Sequence, residues 1–194
     1  MYVGRKITLQ GIIVSRRQSG EGSVRVAFYT DALGLVYALA RSAREERSKL
    51  RPHLQVGTSG TFTLIKGKDV WRITGAVNTE NVFFSLKSSF SKEATARVLK
   101  IVRQFVRGEG SDPYLFSTLM NFLHATPRIE SELVQDAECI AVFRVLSALG
   151  YVREDEITGS FLDTTYDEKV LKHARTVRTE LVQSINEGIS ASGL

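Results

Sequence analysis

Three histidines, one cysteine and a run of three carboxylates are the residues best suited to bond-making chemistry, and their spacing argues against it. His53, His124 and His173 stand far apart, none with the second ligand four residues away that a metal-binding helix supplies. Glu154-Asp155-Glu156 could hold a divalent ion, but three adjacent acids are the usual composition of a solvated loop. Cys139 sits in Cys139-Ile140-Ala141-Val142-Phe143, where a thiol behaves as a small core hydrophobe. Gly20-Glu21-Gly22-Ser23 is a turn rather than a phosphate loop, and no Gly-x-Ser-x-Gly elbow occurs. The chain is therefore expected to be neither an enzyme nor a carrier of a metal or cofactor.

Cations are the more informative group. Residues 1–75 hold 13 Lys/Arg against 5 Asp/Glu, a net +8, whereas residues 76–194 hold 13 against 16, a net −3. That split directs the first part toward a polyanion. Arg16-Arg17 closes one apolar stretch, and Arg25 shares a strand face with Tyr29, because strand side chains repeat every two residues. Arg41, Arg44, Arg47, Lys49 and Arg51 crowd one connection beside Glu45 and Glu46. Lys66, Lys68 and Arg72 sit on or beside a turn next to Trp71, the only tryptophan. Guanidinium groups neutralise phosphates and aromatic faces stack on bases, the combination used in sequence-tolerant single-strand binding. These eleven cations are the expected phosphate contacts, with Tyr29 as a stacking residue; Trp71 fits a core position better.

The elements that must position them follow from hydrophobic period. Ile7–Val14 is β-rich with Gly11 in its middle, where a bulge or sharp bend is expected. Val24, Val26 and Phe28 alternate with Arg25, Ala27 and Tyr29; Asp31-Ala32-Leu33-Gly34 is a turn; Leu35–Ala40 is a third strand. Thr61–Ile65 and Val70–Thr74 form a hairpin about Lys66-Gly67-Lys68-Asp69. Five short strands with one long connection, from Arg41 to Pro52, predict an OB-type barrel; an SH3-like barrel has a similar strand count. After Val77 the period becomes helical. Ala94, Val98, Ile101, Val102 and Phe105 share one helix face, and Pro113 opens a second helix behind Asp112. Ile129–Leu149 predicts a third helix stopped by Gly150, and Val170, Ala174, Val177, Leu181 and Ile185 a last one capped by Asp167. The expected fold is α+β: a barrel over 1–79, then an all-α domain over 80–194.

A hydrophobic content of 43% and a charged content of 24% are those of a globular protein, and no apolar run reaches the ~18 residues that span a bilayer. With neither a secretory signal nor a second cysteine for a disulfide, a cytoplasmic protein is expected.

Gly11-Ile12-Ile13-Val14-Ser15-Arg16-Arg17 followed by Gly20-Glu21-Gly22 resembles the opening of the RecO family of bacterial recombination mediators. In order come Phe28-Tyr29-Thr30, Gly34-Leu35, Ala38–Arg44 and Ser48-Lys49-Leu50-Arg51. Gly108–Pro113 with Leu115-Phe116 looks like that family's link between helices, and Phe143–Tyr151 like its Leu-Gly-Tyr helix end. Two departures stand out. Many members carry a four-cysteine zinc site soon after that element, whereas Val152–Tyr166 has no cysteine, so zinc is not expected. The chain is also shorter than is usual for the family.

The resemblance implies DNA repair and homologous recombination in the bacterial cytoplasm, in association with the nucleoid. It implies binding of single- and double-stranded DNA, annealing of complementary strands, cooperation with RecR, engagement of the acidic tail of single-strand-binding protein and indirect loading of RecA. An acidic, apolar tail needs a hydrophobic pocket with a cation at its rim, for which Arg144, Lys172, Arg175 and Arg178 are the candidates. A monomer is expected. The alternatives are an OB-fold RNA-binding module, a protein–protein adaptor with an acidic partner, and an enzyme using the carboxylates at 154–156.

Overall fold

The computed structural model describes residues 4–68, 70–153, 158–162 and 165–193. The five strands are β1 (Lys6–Ser19), β2 (Ser23–Thr30), β3 (Gly34–Ala40), β4 (Thr58–Lys66) and β5 (Trp71–Asn81). They close a barrel in the order β1-β2-β3-β5-β4, with β1 also paired to β4. Every pairing is antiparallel except β3 with β5, which is parallel. This is the OB-type barrel that the strand pattern predicts.

Its interior is filled by one phase of each strand: Val24, Val26 and Phe28 from β2, Val36, Ala38 and Ala40 from β3, Phe62 and Leu64 from β4, Trp71 and Ile73 from β5. Phe28 and Phe62 meet edge to face at 4.5 Å. Ala43 and Leu54, from the long β3–β4 connection, complete the same core. Gly11 is required because Phe28 passes so close that an added Cβ would lie 2.5 Å from its ring. A bulge or sharp bend is expected at Gly11, but the β1–β2 register holds there and shifts further along, between Ile13 and Ser15. The continuous apolar run Ile12-Ile13-Val14 hides that change of phase.

The helices are α1 (Val82–Ser85), α2 (Ser89–Phe105), α3 (Pro113–Ala125), α4 (Val134–Ala148), α5 (Glu168–Thr176) and α6 (Arg178–Ala191). α4 is apolar around most of its circumference and packs against α2, α3, α5 and α6, as a central helix must. Two boundaries differ from the sequence expectation. Glu130 is extended (φ −60°, ψ 140°), so the chain passes through a 3₁₀ turn at Ser131–Leu133 before α4 begins. The expected last helix is two helices, because Val177 leaves helical geometry (φ −116°, ψ 24°). Asp167 caps α5 as expected, accepting from the Val170 amide at 2.9 Å, and Gly150 stops the chain beyond α4 at φ +74°.

The chain forms two compact units, and the division is not a single cut. Residues 106–112, between α2 and α3, belong with Met1–Val82, while Phe83–Phe105 and Pro113–Leu194 form the second unit. This strap bonds to the barrel through the Gly110 amide and the Leu33 carbonyl (3.0 Å), and through the Ser111 hydroxyl and the Asp31 carbonyl (2.8 Å).

A cationic face on the barrel

The register of the strands sets the candidate site. Arg17 is opposite Arg25, Arg25 opposite Leu39, Leu39 opposite Arg72, Arg72 opposite Ile65, and Ile65 opposite Lys6. These six residues form one lateral row around the barrel. Since Val24, Val26, Ala38, Ala40, Trp71 and Ile73 point into the core, Arg25, Leu39 and Arg72 point outward. Arg17, Arg25, Arg72 and Lys6 are exposed. Neighbouring strands lie about 4.8 Å apart, so the row is a band of cations spaced by one or two strands. None of these four makes a salt bridge with a described carboxylate.

The bulge in β1 decides which arginine joins the row. In unbroken register Arg16 would face Arg25; the shift after Ile13 places Arg17 there and sets Arg16 opposite inward-pointing Val26. Arg16 is consequently half-buried, with its Nε buried and without a hydrogen-bond partner among the described residues. Sequence proximity treats the two arginines alike, whereas the pleat separates them.

The long connection continues the cationic surface past the end of β3. Arg41, Arg44, Arg47, Lys49 and Arg51 are all exposed, and Glu45 and Glu46 form no ion pair with them. Arg44 has a structural duty as well, its guanidinium donating to the carbonyls of Gly20 (3.4 Å) and Glu21 (3.1 Å). The connection is thereby tied to the β1–β2 turn, beside Arg17 and Arg25. Lys68 is exposed on the β4–β5 turn.

Lys66 is engaged in a different way. Its ammonium lies 2.7 Å from Glu109 of the strap and 4.5 Å from the centre of the Trp71 ring. Trp71 Nε1 also donates to Glu109, at 2.9 Å, so the indole is a core group with one satisfied donor at its edge. These two hydrogen bonds hold the Glu109 carboxyl below its ordinary range.

Two residues expected in binding roles are corrected by burial. Tyr29 lies on the same face as Arg25 but is 0% exposed, and burial together with Asp112 raises its phenol pKa. It presents no ring to a base. Tyr37, 52% exposed on the outward phase of β3, is the aromatic that the barrel offers instead. Its signal in the sequence was the alternation of Val36, Ala38 and Ala40 on the core phase. Arg144, expected at a pocket rim, is likewise 0% exposed; it donates to the carbonyls of Phe161 and Thr165 (3.1 Å) and covers the Tyr166 ring at 4.6 Å.

The other partner candidates are also accounted for. Arg175 and Arg178 both bind the fully buried Asp136, at 3.2 and 2.9 Å, and so neutralise an interior charge. Lys172 is exposed and paired with Glu168 one turn away. A cleft of about 350 Å³ in the helical unit has Ile129, Leu133 and Leu171 among its lining, with exposed Arg128 beside them. Among the described residues no cluster of His, Cys, Asp or Glu could hold a metal ion. Glu154-Asp155-Glu156 lies outside the described residues. No described helix is long and apolar enough to cross a membrane.

Comparison with known proteins matches residues 5–81 to the family described as "Recombination protein O N terminal". A protein named "DNA repair protein RecO" from Dehalococcoides mccartyi strain 195 is 30% identical over 115 residues, covering 59% of this chain and 45% of its own. A protein of the same name from Alkaliphilus metalliredigens is 26% identical over 128 residues, covering 66% and 52%. One from Acetivibrio thermocellus is 23% identical over 142 residues, covering 73% and 56%. The chain spans about half the length of the curated relatives it matches.

Proposed function

Because the chain belongs to the RecO family through its barrel, we propose that it is a DNA repair and recombination protein that binds DNA without breaking bonds in it. The observation that carries this is the outward row of Arg17, Arg25 and Arg72, continued by the cations of the 41–51 connection. It runs across strands β2 and β3 and beside the β1–β2 turn, the region where OB folds take up oligonucleotides.

Two complementary strands repel each other through their phosphates. A cationic band neutralises phosphates on either strand, releases condensed counterions and leaves base edges exposed for pairing. Annealing therefore needs only a surface of this kind and no general acid, base or metal. Binding of both single- and double-stranded DNA follows from the same sequence-independent contact.

The wider role includes work on strands coated by single-strand-binding protein, cooperation with RecR and indirect support of RecA loading in the bacterial cytoplasm. For the acidic tail, the cleft at Ile129, Leu133 and Leu171 with Arg128 beside it is better supported than the four cations chosen from sequence. An apolar terminal side chain would occupy the floor and its carboxylate would meet the guanidinium.

The test is fluorescence anisotropy with a labelled single-stranded oligonucleotide over a salt series, followed by an annealing assay. Tight binding with a steep log–log salt slope and faster annealing are expected. No binding at low salt would overturn the proposal, and preference for structured RNA would point to translation or RNA handling instead.

A further inference from the structure

We propose that Tyr37 is a base-stacking platform that makes the barrel's cationic face respond to unpaired bases as well as to phosphates. This rests on the DNA-binding role proposed above and deepens it by naming the residue that distinguishes single strands from duplex.

Tyr37 stands on the outward phase of β3, and its register partner on β2 is Ala27, which contributes only a methyl group. The next outward residue, Leu39, is half-buried and lies in the cation row between Arg25 and Arg72. Arg25 is the diagonal cross-strand neighbour of Tyr37, a separation of about 7–8 Å that long side chains bridge. The ring therefore rises over a small residue, with an apolar neighbour along the strand and cations within reach. At 52% exposure it leaves substantial apolar surface in water, whereas Tyr29 and Leu35, on the same face, are buried.

A half-exposed aromatic with Arg25 in diagonal reach, beside the cation row, fits a nucleobase whose phosphates lie on that row. In duplex DNA both faces of each internal base are already stacked, so the ring has no face to meet and the arginines alone contribute. On a single strand the ring adds a contact that every base can make. Removing the ring is therefore expected to weaken single-strand binding by about 5- to 150-fold and to leave duplex binding within about twofold.

The experiment compares the full chain with Tyr37→Leu, Tyr37→Phe and Arg25→Gln, using single-stranded and duplex oligonucleotides of equal length at one salt concentration. A 2-aminopurine base in the single strand reports stacking directly. Native circular dichroism confirms the fold of each variant. Tyr37→Leu should lose single-strand affinity and 2-aminopurine quenching but keep duplex affinity. Tyr37→Phe should retain both, and Arg25→Gln should weaken both ligands together. If Tyr37→Leu leaves both affinities unchanged, or lowers them equally, the stacking role is overturned while the phosphate-binding face stands. If the native protein binds neither ligand, both proposals fail.

Discussion

At the scale of single residues, the chemistry of this protein is electrostatic, and Glu109 shows how local it is. Its carboxylate accepts from Lys66 and Trp71, and these bonds lower its pKa. The folded state thus holds fewer protons than the unfolded chain between the depressed and ordinary values, so stability rises with pH across that window. Above the ordinary carboxylate range the contribution is complete, and it disappears as pH falls through the depressed value. Thermal unfolding of Glu109→Gln should show a lower melting temperature than native at pH 7, with the difference closing in acid. Cys139 gives a second expectation: burial and the neighbouring Glu138 raise its thiol pKa to about 11. Its reaction with a disulfide reagent at pH 7.5 should be slow until denaturant is added, because the thiolate is the reactive form. An exposed, fast-reacting thiol would contradict the packing of α4.

At the scale of elements, the sequence and the fold agree where one face is buried and the other wet. β2 and β3 were legible because Val24, Val26, Phe28 and Val36, Ala38, Ala40 alternate cleanly. Three features were not legible, each for a physical reason. The bulge after Ile13 lies in a continuous apolar run that has no phase to read. The break at Val177 is masked because apolar side chains continue at helical spacing across it. The burial of Arg144 is unreadable because α4 is apolar on almost every side, leaving no polar face to assign the guanidinium to. Replacing it tests that assignment. Arg144→Met should cost about 2–4 kcal/mol in denaturant unfolding, since the carbonyls of Phe161 and Thr165 lose a charged donor. A loss below ~0.5 kcal/mol would mean that those carbonyls find other donors. Gly34 is a sharper case, with φ +66° and a Gly110 oxygen only 2.2 Å from where a Cβ would sit. Gly34→Ala should cost at least about 1–2 kcal/mol from backbone conformation alone, with displacement of the strap in addition.

For the whole molecule, the candidate site was legible as an inventory of charges and only partly as a geometry. Net charge points to the first 75 residues as the place for the proposed polyanion-binding surface. The pleat then selected Arg17 over Arg16, exposure selected Tyr37 over Tyr29, and the strap drew Lys66 toward Glu109. Joint replacement of Arg17, Arg25 and Arg72 by Gln should lower the log–log salt slope for single-stranded DNA by about 2, at ~0.7 for each phosphate no longer neutralised. Joint replacement of Arg175 and Arg178 should leave that slope unchanged and lower stability, because the buried Asp136 carboxyl would lose both of its guanidinium partners. If the second variant changed the slope as much as the first, the row on the barrel would not be the phosphate-reading surface.

The strap at residues 106–112 also has a consequence in time. Synthesis is directional, and the five strands are complete by Asn81, yet Glu109, which satisfies both Lys66 and the Trp71 indole, arrives only after α2 has been made. At ~5–20 residues per second that is a delay of a few seconds. During it the nascent barrel must hold its last turn with an unpaired ammonium and an indole donor facing water, and the barrel reaches its finished state only when a later stretch of chain returns to it.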